Sequence, residues 1–585
     1  MTRIAIPCAR LTVALLTLAA LAGAAEPSPL FDLRDIAERP LEARVLERRE
    51  DAGVVVERIE YLSQQVGDEA VRVEGVFAHP VGASRVPGIF WSQGGMAPAG
   101  DGFPLIFARK GYACLCVTVR TDRWNGFAPF DAARPHEANL VRLAIDQMRG
   151  ISYLAQRPEV DPDRIGVAGA SYGGFFANVL AVHDPRIKAG MSFFAGSMQT
   201  LGSNLPQVLA MPAEGLAAWN GLFEPGTRWP HRDVPFLWAA ASNDHWFHLP
   251  AVLATYTAAP SPHKRLALIP QWDHGFPPTV DQQLIDWFDV HLAGTRAAYN
   301  APSALEIRSA GGHRNAHWSW KGGNHVARAD LVVSYGAVLP WLGWPLRHHE
   351  ILPATIGDGV AEALLPIPEH GLDLLVYGNL TDERGVVTTT PPLVILAAEL
   401  VDAALTPLMV NAFPDGDFSA EHTQRLRGTA VLSGVPDDRV FHGEVSGSIR
   451  LPPPALGRPG EITYLLAHVP LRAHRLRMQL RADGPAAVEI AVQALAPDHW
   501  GTPLVDRLRR EQAAIHGHAE LAMAPSPTPP PRFTITAVAS TGWTLVELDC
   551  DPQGLPYGGY QLTVGCAEPV PVWVDSVEFI PQWRR

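Results

Sequence analysis

The chain has 585 residues, 47% of them hydrophobic and 18% charged, with a formal net charge of −13. That length exceeds what one hydrophobic core can serve and calls for about two to four domains, and the apolar-to-charged balance excludes a disordered chain. The negative charge, with no long basic run, excludes a nucleic-acid binder, which needs cations to displace the counterions of the phosphate backbone.

The N-terminus, "MTRIAIPCARLTVALLTLAALAGAAEPSPL", carries Arg3 and Arg10, an apolar stretch from Leu11 to Leu21, and the small residues Gly23, Ala24 and Ala25. This is the pattern of a secretory signal peptide over residues 1–25, too short for a good membrane span. Cys8 precedes the apolar stretch and is badly placed for a lipid anchor. The expectation is a secreted or periplasmic protein with no membrane span once the leader is removed. From 54 to 295 strand and helix signals alternate, which predicts a mostly parallel sheet with helices on both faces, in a domain over 30–297. "VVVERIEYL" and "AVRVEGVFAHP" read as an opening antiparallel pair, followed by the buried strand "VPGIFWSQ", the short helix "FPLIFARKG" and the strand "YACLCVTVR". "HEANLVRLAIDQMRGISYLAQRP" has helical apolar spacing and stops at a proline. The strand "RIGVAGA", the helix "GGFFANVLAVHDP" and the strand "IKAGMSFFAG" follow. Residues 197–233 show no clear strand and read as a cap over the sheet. The order resumes with "PFLWAAAS", "HLPAVLATYTAA", "KRLALIPQ" and "VDQQLIDWFDVHLAG".

After about residue 300 the signals become short β segments broken by Pro, Gly and Asn. They predict a small β-sandwich over 300–400 and a β-rich domain over 401–585, with one helical piece, "TPLVDRLRREQAAIHGHAEL", and a Pro-rich spacer at 524–532. Cys114 and Cys116 share one face of a buried strand and read as core thiols. Cys550 and Cys566 flank a turn-rich, hairpin-like stretch, and an exported protein permits a disulfide between them; two free buried thiols are the alternative.

The chemistry concentrates in the first domain. "RIGVAGASYGGFF" places Gly169-Ala170-Ser171-Tyr172-Gly173, a G-x-S-x-G pattern, between a strand and a helix. There the serine stands exposed on a tight turn at a helix N-terminus, which favours developing negative charge. A nucleophile needs a base, and "LALIPQWDHGF" supplies His274 in the loop after the last strand. The acid is expected at the end of the preceding strand, where "PFLWAAASNDHWF" supplies Asp244. A carboxylate there selects the useful imidazole tautomer and stabilises its protonated form. Asp273 is a rival acid but sits beside the base, badly oriented to accept from its ring. His245 and His248 are rival bases that read as pocket wall or structural residues. The oxyanion hole requires two backbone N–H groups. Tyr172 supplies one, and Gln93 or Gly94 in "WSQGG" the other. Trp124, Asn125, Phe175, Trp219 and Trp246 are candidates for the substrate pocket, with core packing as the alternative for each aromatic. "HRNAHWSW" and "LRHHE" hold histidines, but nothing fixes a metal geometry, so neither metal nor cofactor is expected.

With these segments in place the chain resembles the α/β-hydrolase superfamily, in its acetylxylan esterase-like and prolyl-oligopeptidase-like branches, over about residues 50–297. The matching stretches are "DPDRIGVAGASYGG", "ASNDHWF" and "DHGF". The resemblance implies a doubly wound catalytic sheet and a serine hydrolase with Ser171, Asp244 and His274 as nucleophile, acid and base. Prolyl oligopeptidases usually carry a β-propeller before the catalytic domain, for which this chain leaves no room ahead of the first strand, so a carboxylic-ester hydrolase is favoured over a peptidase. "DLLVYGNLTDERGVVTTTPP" is similar to the small β module that follows the hydrolase domain in some acetylxylan-esterase-like proteins. The end of the chain, "VPVWVDSVEFI", is similar to jelly-roll carbohydrate-binding modules. The implied substrate is an ester-bearing small molecule or polysaccharide. A peptidase with the same triad and a glycan-binding protein on an inactive scaffold are the alternatives.

Overall fold

The computed structural model describes residues 30–95, 97–119, 130–197, 211–242, 244, 247, 249–270, 274–276, 280–335, 349–367, 373–406, 410–411, 436–437, 448–451, 453–454, 459–470, 474–495, 532–550 and 557–581. Expectations for the leader, the helical piece after residue 500 and most of the Pro-rich spacer fall outside them.

A nine-stranded sheet forms the first layer, in the order β1-β2-β3-β5-β4-β6-β7-β8-β9. Its strands are β1 (Arg44–Asp51), β2 (Val54–Val66), β3 (Glu69–Pro80), β4 (Val86–Ser92), β5 (Ala113–Val117), β6 (Val160–Ala170), β7 (Ile187–Phe193), β8 (Phe236–Ala241) and β9 (Arg265–Ile269). Strands β1 to β3 are antiparallel, β3 pairs antiparallel with β5, and β4 through β9 run parallel. The parallel strands are short unbroken apolar runs, such as "ACLCV" and "FLWAAA", because both faces are covered. β1, at the open edge, reads "RVLERRED" and is mostly exposed, and its charges discourage pairing with another chain.

The α-helices longer than four residues are α1 (Leu33–Glu38), α2 (Gly102–Ala108), α3 (Asn139–Gln156), α4 (Tyr172–His183), α5 (Ala213–Leu222), α6 (Leu249–Ala258) and α7 (Val280–Phe288). Alternate strand residues divide between two cores. Phe90, Leu115 and Val167 pack with Val141, Leu143 and Met148 of α3 and Phe175, Phe176 and Val179 of α4. Ile89, Cys114 and Ala168 face the other way, onto Phe107 of α2 and Leu284, Trp287 and Phe288 of α7. This is the doubly wound layer of an α/β-hydrolase fold.

The next strands are β10 (Ala301–Pro302), β11 (Glu306–Ala310), β12 (His313–Lys321), β13 (Val326–Tyr335), β14 (Glu350–Pro353), β15 (Thr355–Gly357), β16 (Val360–Leu364), β17 (Leu374–Asp382), β18 (Val387–Thr389) and β19 (Leu393–Ile395). They form two antiparallel sheets, β10-β12-β16-β15 with β11 on β12, and β14-β13-β17-β18 with β19 on β17. The second sheet is buried on both faces. Leu331, Val333 and Val376 point into a β-rich core, whereas Val332, Leu375 and Tyr377 join the core of the hydrolase layer. That double burial explains why "ADLVVSY" and "LLVYGNL" lack polar alternation.

The last strands are β20 (Val410–Asn411), β21 (Pro436–Asp437), β22 (Ser448–Arg450), β23 (Gly460–Pro470), β24 (His474–Ala482), β25 (Ala486–Leu495), β26 (Arg532–Ala539), β27 (Thr544–Cys550), β28 (Tyr557–Cys566) and β29 (Val572–Pro581). They build two further antiparallel sheets, β21-β22-β29-β24-β27 with β20 on β29, and β23-β28-β25-β26. The disulfide considered between Cys550 and Cys566 is not formed, and both thiols are free and buried. The stretch between them is not a hairpin: β27 pairs with β24, while β28 pairs with β23 and β25 in the other sheet. Each thiol bonds a nearby carbonyl instead, Leu548 for Cys550 and Glu568 for Cys566.

Candidate active site

Ser171 stands alone between the end of β6 and the start of α4, with φ 56° and ψ −125°. A non-glycine residue in that region is strained by about 1–3 kcal/mol and persists only where its surroundings over-determine it. Here they do. Ser171 N–H donates to Phe193 O at 2.9 Å, and Ser171 O accepts from Phe175 N–H at 3.0 Å. A Cβ at Gly169 would lie 2.9 Å from Ser92 O and overlap Gly173 O, and a Cβ at Gly173 would overlap Ser92 O and meet the Gln93 carbonyl carbon at 2.8 Å. The two flanking glycines of the motif are therefore required by space, because the β4 loop lies directly against the turn. Ser171 caps a 12-residue helix, whose dipole favours an anion at that end.

His274 Nε2 lies 2.7 Å from Ser171 Oγ. Its Nδ1 faces both oxygens of Asp244, at 3.1 Å from Oδ1 and 2.9 Å from Oδ2. Asp244 is 1% exposed, and its Oδ1 also accepts from Phe247 N–H at 2.8 Å, which locks the carboxylate's rotamer. The rings of Phe194 (edge-on, 5.6 Å) and Phe247 (stacked, 6.2 Å) flank the imidazole. They limit its rotation and thin the water around it. A neutral imidazole whose Nδ1–H is held by a buried carboxylate presents Nε2 as the acceptor, the tautomer that can take the serine proton.

The loop after β4 passes beside the nucleophile. A Cβ at Gly94 would sit 2.9 Å from Ala170 O and 3.8 Å from Ser171 Cβ. Gln93 turns its side chain away, and Oε1 accepts from Cys116 Sγ at 3.5 Å. Burial pushes that thiol up to about 12, so it stays protonated and donates. Ser92 Oγ donates to Gln147 Oε1 of α3 at 2.6 Å, tying the loop to a buried helix. Tyr172 is the first residue of α4, so its N–H sits in the helix's first turn.

Two of the pocket candidates are core residues. Phe175 and Trp219 are fully buried, stacked on each other at 6.5 Å between ring centres. Trp219 Nε1–H donates to Glu224 Oε2 at 2.9 Å. They join α4 to α5 within the cap expected over 197–233, buried among one another. Trp124, Asn125, Trp246, Asp273, His245 and His248 lie outside the described residues. Sequence reasoning missed Phe194, Phe247 and Asn178. Asn178 Oδ1 accepts from Trp229 Nε1–H at 3.1 Å and Trp238 Nε1–H at 3.0 Å, linking α4 to the cap and to β8. An Asn in the apolar run "GGFFANVLAV" was the available signal. Among the described residues no group of three or more His, Cys, Asp or Glu is arranged to hold a metal ion.

A family model, the prolyl oligopeptidase family, matches residues 103–204, the stretch that contains Ser171. Among solved structures the chain is similar to an acetyl xylan esterase from Paenibacillus sp. R4, at 18% identity over 49% of this chain and 100% of that one, with a TM-score of 0.40. It is also similar to acetyl xylan esterase 1 from Thermoanaerobacterium sp. JW/SL YS485, at 16% identity over 47% of this chain and 97% of that one, with a TM-score of 0.35. A glucuronoyl esterase from Solibacter usitatus is similar at 14% identity over 49% of this chain and 94% of that one, with a TM-score of 0.35.

Proposed function

We propose that this serine hydrolase of the α/β-hydrolase type cleaves carboxylic esters, with Ser171, His274 and Asp244 as nucleophile, base and orienting acid. The observation that carries the reading is the unbroken chain from Ser171 Oγ through His274, at 2.7 Å, to the buried Asp244 carboxylate, at 2.9 Å. Ser171 Oγ attacks the ester carbonyl as its proton passes to His274 Nε2. The tetrahedral oxyanion forms at the helix N-terminus, where the N–H of Tyr172 and one N–H of the Gln93–Gly94 loop are its donors. His274 returns the proton to the leaving alcohol, and the acyl-enzyme is released when His274 activates a water. Every proton in this cycle is carried by a protein group, the alcohol or water.

The β-rich half directs the reading toward esters carried on polysaccharides, since its last segment is similar in sequence to jelly-roll carbohydrate modules. A peptidase is the second reading, and the match of residues 103–204 to the prolyl oligopeptidase family favours it. We read residues 1–25 as an export leader, which N-terminal sequencing of the mature protein tests. Hydrolysis rates on acetyl, feruloyl and glucuronoyl esters and on aminoacyl-naphthylamides separate ester from peptide chemistry. Turnover of peptides alone overturns the ester reading.

A further inference from the structure

His274 sits between β9 and α7, and both of those elements are contacted by the β layer that follows in sequence. Among the described residues β9 is the last strand of its sheet, with no strand paired beyond it to meet Leu268. Instead Leu268 N–H donates to Thr389 Oγ1 of β18 at 2.8 Å, and Leu268 O accepts from Asn379 Nδ2 of β17 at 3.1 Å. Thr389 Oγ1–H in turn donates to Asn379 Oδ1 at 2.6 Å, so the two side chains form one closed bridge. On the helix that follows, Arg384 in the turn between β17 and β18 pairs with the buried Asp286, late in α7, Nη1 to Oδ2 at 3.4 Å. Asp382 holds that guanidinium from behind, at 2.9 and 2.6 Å, and Arg384 lies 5.5 Å from the centre of the Tyr299 ring.

The grip extends to the acid. Ser242, two residues before Asp244, has its Oγ 3.4 Å from Nδ1 of the fully buried His349, which immediately precedes β14. These contacts are polar and directional, and they fall on the elements that carry the base and the acid. They fix the relative position of the two layers against small displacements. The imidazole tolerates little displacement, because a misplacement of about 1 Å in a catalytic group can cost about 100-fold in rate.

We propose that the β17–β18 hairpin is a positioning device for the base, with Thr389, Asn379 and Arg384 fixing β9 and α7, the elements on either side of His274. The proposal rests on the reading of His274 as the general base. It assigns the first β module a part in turnover and makes the hydrolase layer incomplete without it.

The test uses the full chain and p-nitrophenyl acetate. Thr389→Val keeps the side-chain volume and removes the hydroxyl, whereas Thr389→Ser keeps the hydroxyl. The expected result is that Thr389→Val lowers kcat about tenfold with KM within about twofold of the parent, that fluorophosphonate labelling of Ser171 slows in parallel, and that Thr389→Ser restores both. Arg384→Met repeats the pattern from the α7 side, and it stands as the independent measurement if Thr389→Val does not fold. An unchanged kcat in the folded variants, whatever their melting temperature, overturns the proposal. So does a raised KM at constant kcat, or a Thr389→Ser variant as slow as Thr389→Val. Failure of the underlying triad reading is separate and shows as full turnover by Ser171→Ala.

Discussion

Ser171 is held from within its own layer, whereas Asp244 and His274 are held in part from the layer that follows in sequence. The nucleophile's position comes from the close approach of Ser92 to Gly169 and Gly173, from Phe193 O, and from Asn178 between two indoles. The base and acid take theirs from Thr389, Asn379, Arg384 and His349, residues 98 to 121 positions away along the chain from the groups they support. The difference teaches where positional information is stored. A strained turn needs small residues at fixed offsets and so writes a motif. A grip between layers needs only a hydroxyl, an amide or a guanidinium somewhere on an adjoining strand, and writes none.

The largest expected effects test the two sides directly. Ser171→Ala should lower kcat on p-nitrophenyl acetate by about 10⁶-fold and abolish fluorophosphonate labelling, with the thermal unfolding curve retained. Asp244→Asn should lower kcat by about 10⁴-fold, because the imidazole is then offered the wrong tautomer, yet Ser171 should still be labelled slowly. If Asp244→Asn stays within about tenfold of the parent, the acid side does not hold the base in the way the geometry suggests.

Much of the first layer was legible in the sequence. Strand-turn-helix context around "GASYGG" and the order of Ser171, Asp244 and His274 along the chain brought forward the three residues that the structure sets within hydrogen-bond reach. The continuous apolar runs of β13 and β17 were read as strands, but their burial on two sides was not, because a run of that length says nothing about what covers each face. Phe175 and Trp219 left pocket and core packing open in the sequence for a related reason, and the structure buries both. An aromatic near the nucleophile can face the cleft or the core, and only the stacking of α5 on α4 decides. "LRHHE" was weighed as a metal motif, and the structure places its His349 against Ser242 of the acid loop.

The next effect is on stability and belongs to the nucleophile's side. Asn178→Leu keeps most of the volume but strips the acceptor from two fully buried indoles, Trp229 and Trp238. Each buried donor left unpaired costs about 1–3 kcal/mol, so the variant should be about 4 kcal/mol less stable in urea unfolding at unchanged m-value. Its slowed labelling of Ser171 would show that α4 transmits the loss to the elbow. A loss under about 1 kcal/mol would mean that the indoles find other partners and that the elbow is held by its glycines alone.

The smallest effect lies on the other side of the comparison and depends on pH. Glu350, next to His349, is buried in β14, and its Oε2 accepts from Tyr335 O–H at 2.7 Å. Burial pushes its carboxyl from the ordinary 4.5 up to about 7, an upward shift that the Tyr335 hydrogen bond only partly offsets. Between those values the folded protein keeps a proton that the unfolded chain has lost. The carboxyl therefore costs nothing below pH 4.5 and destabilises the fold progressively as pH rises to about 7, by about 3 kcal/mol in all. Glu350→Gln carries a permanent neutral group in the same shape and should lack that fall. The parent should lose stability relative to Glu350→Gln between pH 5 and pH 8, read from paired urea unfolding curves. Because Glu350 adjoins the histidine that contacts Ser242, the same pH interval should loosen the acid loop while leaving the elbow unchanged. Parallel stability curves for parent and variant would detach Glu350 from that side of the site and leave the hairpin contacts as its support from the β layer.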